Sequence, residues 1–324
     1  MFPFSGPDAA LPRRCVLGGL AVAASLALAA CGSSTSNPSG GSSSSSNPLA
    51  GGGAAKGTVV VGSANFPEDE LLAQIYIQAL QAKGVKVTPK LNIGSREVYY
   101  PEIKNGTISI LPEYNGALLT TSVDTTSTAA TTSQVNAALK AKLPPSLEIL
   151  NSSSAQDKDS VTVTQATATK YHLKSISDLK SVAKKFVIGG PPEFKTREAG
   201  LIGLKRLYGL TFKSFAPLDL SGPVTLAALK DGKVQAADVF TTTPQIISNH
   251  LVSLADPKFV FAAQNVTPLV YKKDLTPTIT STLNAISARL TTQALLAMDK
   301  AVILNHANYS AVATGWLKAV GLSG

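Results

Sequence analysis

The sequence predicts an α/β protein of two lobes facing a shared ligand cleft. Three observations carry this expectation. A strand–helix–strand–helix–strand order begins at Thr58, a second set of alternating elements begins at Val161, and the strands of both sets end in small or polar residues. Strands that alternate with helices point to parallel sheets with helical crossovers. In open sheets of that kind ligands lie beyond the carboxyl ends of the strands.

The first set opens with the apolar run Thr58-Val59-Val60-Val61, which suits a buried strand. Pro67 then starts a helix, with Glu68, Asp69 and Glu70 in its first turn, where acids complement the positive end of the helix dipole. Leu71, Leu72, Ile75, Ala79 and Leu80 form its apolar face, and Gly84 ends it. Val85 to Leu91 alternates as a strand, Gly94-Ser95-Arg96-Glu97 opens a second helix, and Ile108 to Leu111 is a third strand. The three strand ends are Ser63-Ala64-Asn65-Phe66, Asn92-Ile93-Gly94-Ser95 and Glu113-Tyr114-Asn115-Gly116.

The second set reads Val161–Val163 as a strand, a helix over 177–185, a strand from Phe186 to Gly189 and a helix over 196–208. A strand near Phe212, a helix over 224–230 and a strand from Ala236 to Phe240 follow, ending in Thr241-Thr242-Thr243-Pro244. Leu251 to Leu254 and Thr267 to Tyr271 read as extended, and from Thr278 the chain is helical. The lobe boundaries expected from this order are 57–158 with 272–324 for lobe 1 and 159–271 for lobe 2, with hinges near Ser160 and Val270.

Residues 1–30 read as an export signal: Arg13 and Arg14 precede the apolar run Val16–Leu28, and Leu28-Ala29-Ala30 leads to Cys31. That ending resembles a bacterial lipobox, so Cys31 is the expected lipidation site, and Arg13-Arg14 also resembles a twin-arginine signal. Residues 31–56 are rich in Gly, Ser and Asn and cannot bury enough apolar surface to fold. They read as a tether with a mean span of roughly 25–30 Å. The chain holds two cysteines, Cys15 and Cys31, which leaves none for a disulfide or thiolate site in the folded part. The formal charge is +9, but the lysines are scattered. Attraction to an anionic surface fits this better than nucleic-acid binding.

An enzyme needs a constellation of groups, and none is legible. His172, His250 and His306 have no metal spacing, and neither a G-x-S-x-G elbow nor a phosphate-binding glycine loop occurs. Glu113 and Glu193 stand beside prolines, which suits turns as well as a carboxylate pair. No cofactor is expected.

The segments NFPEDELLAQIYIQAL, LNIGSREVYYPEIKNG, ILPEYNGALL, REAGLIGLKRLYGL, VFTTTPQI and VATGWLKAVGL resemble the osmoprotectant-binding lipoproteins of ABC importers, over nearly all of 57–324. The resemblance implies a type II periplasmic-binding-protein fold and a monomer that serves an ABC permease and ATPase. The protein is then held on the extracytoplasmic face of the cell membrane by its lipid. It implies a ligand such as glycine betaine, choline or carnitine, held by aromatic faces. Tyr114 and Phe66 match that pattern. Leu201 and Thr225 stand where tyrosines are usual, Ala262-Ala263-Gln264 replaces Pro-Pro-Tyr, and Ser109-Ile110 replaces Asp-Leu. These departures keep a polyhydroxylated or phenolic ligand open, and a passive wall lipoprotein is the reading without transport. The expected ligand residues are Asn65, Phe66, Ser95, Tyr114 and Asn115 from the first lobe. Phe194, Arg197, Thr241, Thr242 and Gln264 are expected from the second.

Overall fold

The structure is a computed structural model that describes residues 57–323. The expected signal, the lipidation site Cys31 and the tether lie outside the described residues. The first lobe opens with β1 (Val59–Gly62), α1 (Pro67–Ala82), β2 (Val87–Lys90), α2 (Arg96–Lys104) and β3 (Ile110–Tyr114). It continues through α3 (Asn115–Leu118), α4 (Thr132–Lys142) and β4 (Leu147–Ile149). The second lobe holds β5 (Val161–Thr164), α5 (Gln165–Tyr171), β6 (Val187–Gly190), α6 (Leu201–Tyr208) and β7 (Ser214–Pro217). It ends with α7 (Pro223–Lys230), β8 (Ala236–Asp238), α8 (Gln245–Ser248) and β9 (Leu251–Ser253). The chain then returns to the first lobe with β10 (Val266–Tyr271), α9 (Pro277–Arg289), α10 (Thr292–Asp299) and α11 (Tyr309–Ala319).

Each lobe is built on one five-stranded sheet, ordered β2-β1-β3-β10-β4 in the first and β7-β6-β8-β5-β9 in the second. In both, three parallel strands are followed by an antiparallel one, β10 or β5, and that strand pairs antiparallel with the edge strand. Both faces of each sheet are covered, as parallel strands require. In the first lobe α1, α9, α10 and α11 pack on one face, with Leu71, Leu72, Ile75, Leu283 and Leu317 in that core. On the other face Tyr99, Ile103, Leu118 and Leu139 form a second core.

Four expectations are corrected here. The second-lobe range 159–271 runs too far, because Val266–Tyr271 pairs with β3 and β4 in the first sheet. Phe261 packs in the second-lobe core and Ala262 in that of the first, so the chain crosses back between them. The two crossings run side by side: Gln156 bridges Asn265 antiparallel, and Asp157 N donates to Gln264 O at 3.2 Å. Second, Val161–Val163 does not start a parallel crossover. β5 is antiparallel to β8, because it enters directly from the hinge. The helix expected over 177–185 is two short 3₁₀ segments, Ile176–Ser181 and Ala183–Lys185, and α6 starts only at Leu201.

α1 begins where its sequence says it should, with Pro67 in the first turn, but its acids do more than favour the dipole. Glu68 and Asp69 are buried, and Asp69 Oδ2 accepts from Ala64 N at 2.5 Å, which holds the loop after β1 against the helix. α3 follows β3 with no loop, and Gly116 lets it lie against the hinge. A Cβ there would stand 2.3 Å from the Ala263 carbonyl oxygen.

Candidate functional site

The carboxyl ends of the parallel strands converge on a small cavity of about 50 Å³ between the lobes. The loop after β1 supplies Asn65 and Phe66, the start of α2 supplies Ser95, Arg96 and Tyr99, and the end of β3 supplies Tyr114. From the second lobe come Glu193 and Arg197 after β6, Leu220 after β7 and Phe240 after β8, and the hinge adds Asp159 and Gln264. This gives room for about three to five water-sized groups, enough for a small head group.

Four aromatic rings line the cavity. Phe66 stands 5.9 Å from Tyr114 at 35° and 5.2 Å from Phe240 at 60°, so one ring contact spans the lobes. Below them lies a buried ion pair. Arg96 Nε and Nη2 donate to Glu113 Oε1 and Oε2 at 3.0 and 2.9 Å, and Tyr99 Oη donates to Oε1 at 2.9 Å. Burial alone would pull the guanidinium's pKa down, but Glu113 outweighs it, so Arg96 stays charged. Such a pair says little about stability and much about position. It pins the start of α2 to the end of β3, so the cavity floor is rigid.

The lobes are latched at the cavity's edge. Arg197 Nε and Nη2 donate to Glu97 Oε1 and Oε2 at 3.0 and 2.8 Å, a forked pair between the second lobe and α2. Burial pushes the Glu97 carboxyl up, but the hydrogen bonds and charge of Arg197 prevail and hold it at about 2. Deeper in, Glu68 ties the lobes together: Tyr114 Oη donates to its Oε1 at 2.5 Å and Thr242 Oγ1 to its Oε2 at 2.6 Å. These cross-lobe bonds describe a closed cleft.

Six of the ten expected residues line the cavity: Asn65, Phe66, Ser95, Tyr114, Arg197 and Gln264. Four do not. Asn115 is wholly buried, accepting from Gly116 N and Asn265 N and donating to Asn136 Oδ1, which fixes α3 to the hinge. Phe194 is 1% exposed and stacks on Phe261 in the second-lobe core. Thr241 is exposed and caps the hinge through Lys158 N and Asp157 Oδ1, while Thr242 is spent on Glu68. Two of the departures from the family pattern, Thr225 and Leu201, also lie off the cavity. Thr225 is buried at the start of α7 and bonded to Asp219, and Leu201 packs on the second-lobe core.

Sequence reasoning missed Arg96, Tyr99, Asp159, Glu193 and Phe240 as lining residues. A signal existed for two of them. Arg96 and Tyr99 are three apart on one helical face, the spacing that brings side chains together. Gln264 was found, but its amide is occupied: Oε1 accepts from Asp159 N and Nε2 donates to Asp159 Oδ2 at 2.8 Å. Behind Asp159 stands Asp238, whose carboxyl is pushed well up by burial and then by the charge of Asp159.

Two matched lobes, a paired hinge and a closing cleft lined by strand ends define a solute-binding protein with the type II periplasmic-binding-protein fold. The chain belongs to the family of substrate-binding domains of ABC-type glycine betaine transport systems, whose profile matches residues 57–319. That family is a non-enzymatic, extracytoplasmic component of ABC importers, binding a small molecule and working with a permease. The chain is 26% identical to the glycine betaine-binding protein YehZ of Escherichia coli over 82% of its own length and 92% of that protein. It is 25% identical to the ergothioneine transport permease/ergothioneine binding protein EgtU of Helicobacter pylori, over 50% of its own length and 30% of that protein. The crystal structure of a glycine betaine/carnitine/choline ABC transporter chain shares the fold. Its TM-score is 0.64 at 21% identity, over 82% of this chain and 100% of that one. Among the described residues, no helix is long and apolar enough to cross a membrane.

Proposed function

We propose that this protein captures a betaine-class solute, a small zwitterion with a quaternary ammonium head, and delivers it to its permease while held to the membrane by a lipid on Cys31. The observation that carries this reading is a cavity with four aromatic rings and two carboxylates on its wall. Arg96 and Arg197 are each already paired, with Glu113 and Glu97, which leaves the carboxylates of Asp159 and Glu193 on the wall to attract a cationic head. Phe66, Tyr99, Tyr114 and Phe240 offer faces to a cation, each contact worth about 0.5–2 kcal/mol. Arg197 has its Nη1 edge left for a ligand carboxylate once Nε and Nη2 are paired with Glu97.

The polyhydroxylated alternative loses support, because most polar groups that could serve it are committed, with Asn65 left on the cavity wall. Gln264 is bonded to Asp159 and Ser95 Oγ donates to Glu97 Oε2, while Thr241 and Thr242 lie off the cavity. Family membership speaks against a passive wall lipoprotein.

A thermal-shift and calorimetric screen of glycine betaine, choline, carnitine, ergothioneine, polyols and phenolics tests the reading. A betaine at a hundred times its dissociation constant should stabilise the fold by about 2.7 kcal/mol. Binding of a polyol or phenolic with no response to any quaternary ammonium compound would overturn it. Detergent partitioning tests the anchor separately. Wild type should enter the detergent phase and Cys31→Ala should stay in the aqueous one.

A further inference from the structure

The cleft continues beyond the inner cavity. Asn65, Phe66, Ser95, Glu193 and Leu220 also face an outer chamber of about 450 Å³, against about 50 Å³ inside. The remaining chamber walls come from both lobes: Pro67 from the first, and Pro191, Pro192, Leu218 and Pro223 from the second. Prolines hold fixed backbone angles, so this wall is shaped before anything binds. The chamber's charged residues are Glu193 and Asp219, and its lining holds neither lysine nor arginine. Asp219 is occupied, accepting from Val224 N at 3.0 Å and Thr225 N at 2.8 Å at the start of α7. Water between these prolines and leucines has few partners, and an apolar group that displaces it gains free energy.

We propose that the ligand carries an apolar extension of several carbons, with its zwitterionic head in the inner cavity and the extension in the proline-walled chamber. This rests on the betaine-class reading of the inner cavity and narrows it. The inner cavity holds a head group and little else, so whatever is attached to the head extends into the chamber, which shares Asn65, Phe66, Ser95, Glu193 and Leu220 with it. The carboxylates there and the lack of a basic residue exclude an anionic extension. The prolines and leucines accept a saturated chain.

Calorimetry on the full-length, detergent-solubilised protein tests this with carnitine and its acetyl, butyryl and hexanoyl esters. These keep one head and lengthen one arm. Affinity should rise about two- to fourfold per added methylene, the upper figure being 0.8 kcal/mol for complete burial. The gain should vanish in Leu218→Asn, which makes the chamber wall polar but leaves the inner cavity intact, with carnitine binding unchanged. If glycine betaine and carnitine bind and each added carbon weakens binding, the extension is refuted and the parent reading stands. If neither the compact ligands nor the esters bind, both fall. Should Leu218→Asn fail to fold, the ester series on wild type decides alone.

Discussion

Asparagine in place of Asp299 probes the carboxyl cluster beneath the cleft. Asp299 closes α10, is 1% exposed, and has no hydrogen-bond donor on either oxygen. It faces Glu68, the residue that joins Tyr114 to Thr242 across the lobes, and a proton held on the buried pair relieves the repulsion between the two carboxylates. Burial pushes the Asp299 carboxyl up most and the charge of Asp157 adds to it, leaving it at about 7. Glu68 is raised too, first by burial and then by Asp299. In the unfolded chain an aspartate ionises near pH ~3.9. Below that pH both states hold the proton and Asp299 costs nothing. Between about pH 4 and 7 the unfolded chain releases the proton while the folded protein keeps it, so stability falls as pH rises, and the loss is complete above about 7. Roughly three units at about 1.4 kcal/mol each put the full cost near 4 kcal/mol.

Asparagine carries no charge to desolvate and none to repel Glu68. Asp299→Asn should therefore exceed wild type at pH 8.5 by up to about 4 kcal/mol, or about 8–16 °C in Tm. At pH 4.5 the two should nearly coincide, with Glu68 leaving a residual slope in the variant. Thermal melts of both proteins across this range make the measurement. A variant destabilised equally at both ends would refute the proton held on the pair and leave Asp299 as an ordinary structural side chain.

Phe240→Ala removes a ring that belongs to the cavity rather than to a lobe core. It should weaken ligand binding by about 1–3 kcal/mol with little change in the melting of the free protein, and an unchanged affinity by calorimetry would place the ligand elsewhere. Arg197→Ala opens the latch to Glu97 and takes a cation from the wall. It should enlarge the radius of gyration in X-ray scattering and weaken ligand binding, whereas identical scattering would mean that Glu68 alone holds the lobes together. The latch itself is part-exposed and should contribute less than about 1 kcal/mol to fold stability. Gly116→Ala places a Cβ 2.3 Å from the Ala263 oxygen and should cost about 1–3 kcal/mol of stability, read as a lowered Tm. An unchanged melt would mean that α3 and the hinge can part without penalty.

What the sequence determined by itself was local. Val59–Gly62 and Val187–Gly190 are apolar runs closed by small residues, Pro67 with three acids is a helix start, and Gly84 at φ 76° is a helix stop. Each follows from steric and dipolar rules acting over a few residues, so the alternation of strands and helices and the polar strand ends were legible. The tertiary structure decided which sheet a strand joins and where its last side chains point. Val266–Tyr271 is apolar on both faces and would satisfy either sheet, and only its return through the hinge beside Gln156–Asp157 pairs it with β3. Asn115 and Phe194 stand at strand ends just as Tyr114 and Arg197 do. Asn115 turns inward because Asn265 N and Asn136 need its amide, and Phe194 because Phe261 completes its core. Arg96, Tyr99 and Phe240 reach the cavity for the converse reason. The helical spacing that pairs Arg96 with Tyr99 does not reveal that both hold Glu113, and Phe66, the partner of Phe240, lies so far away in the chain that their contact leaves no trace in the local pattern of either.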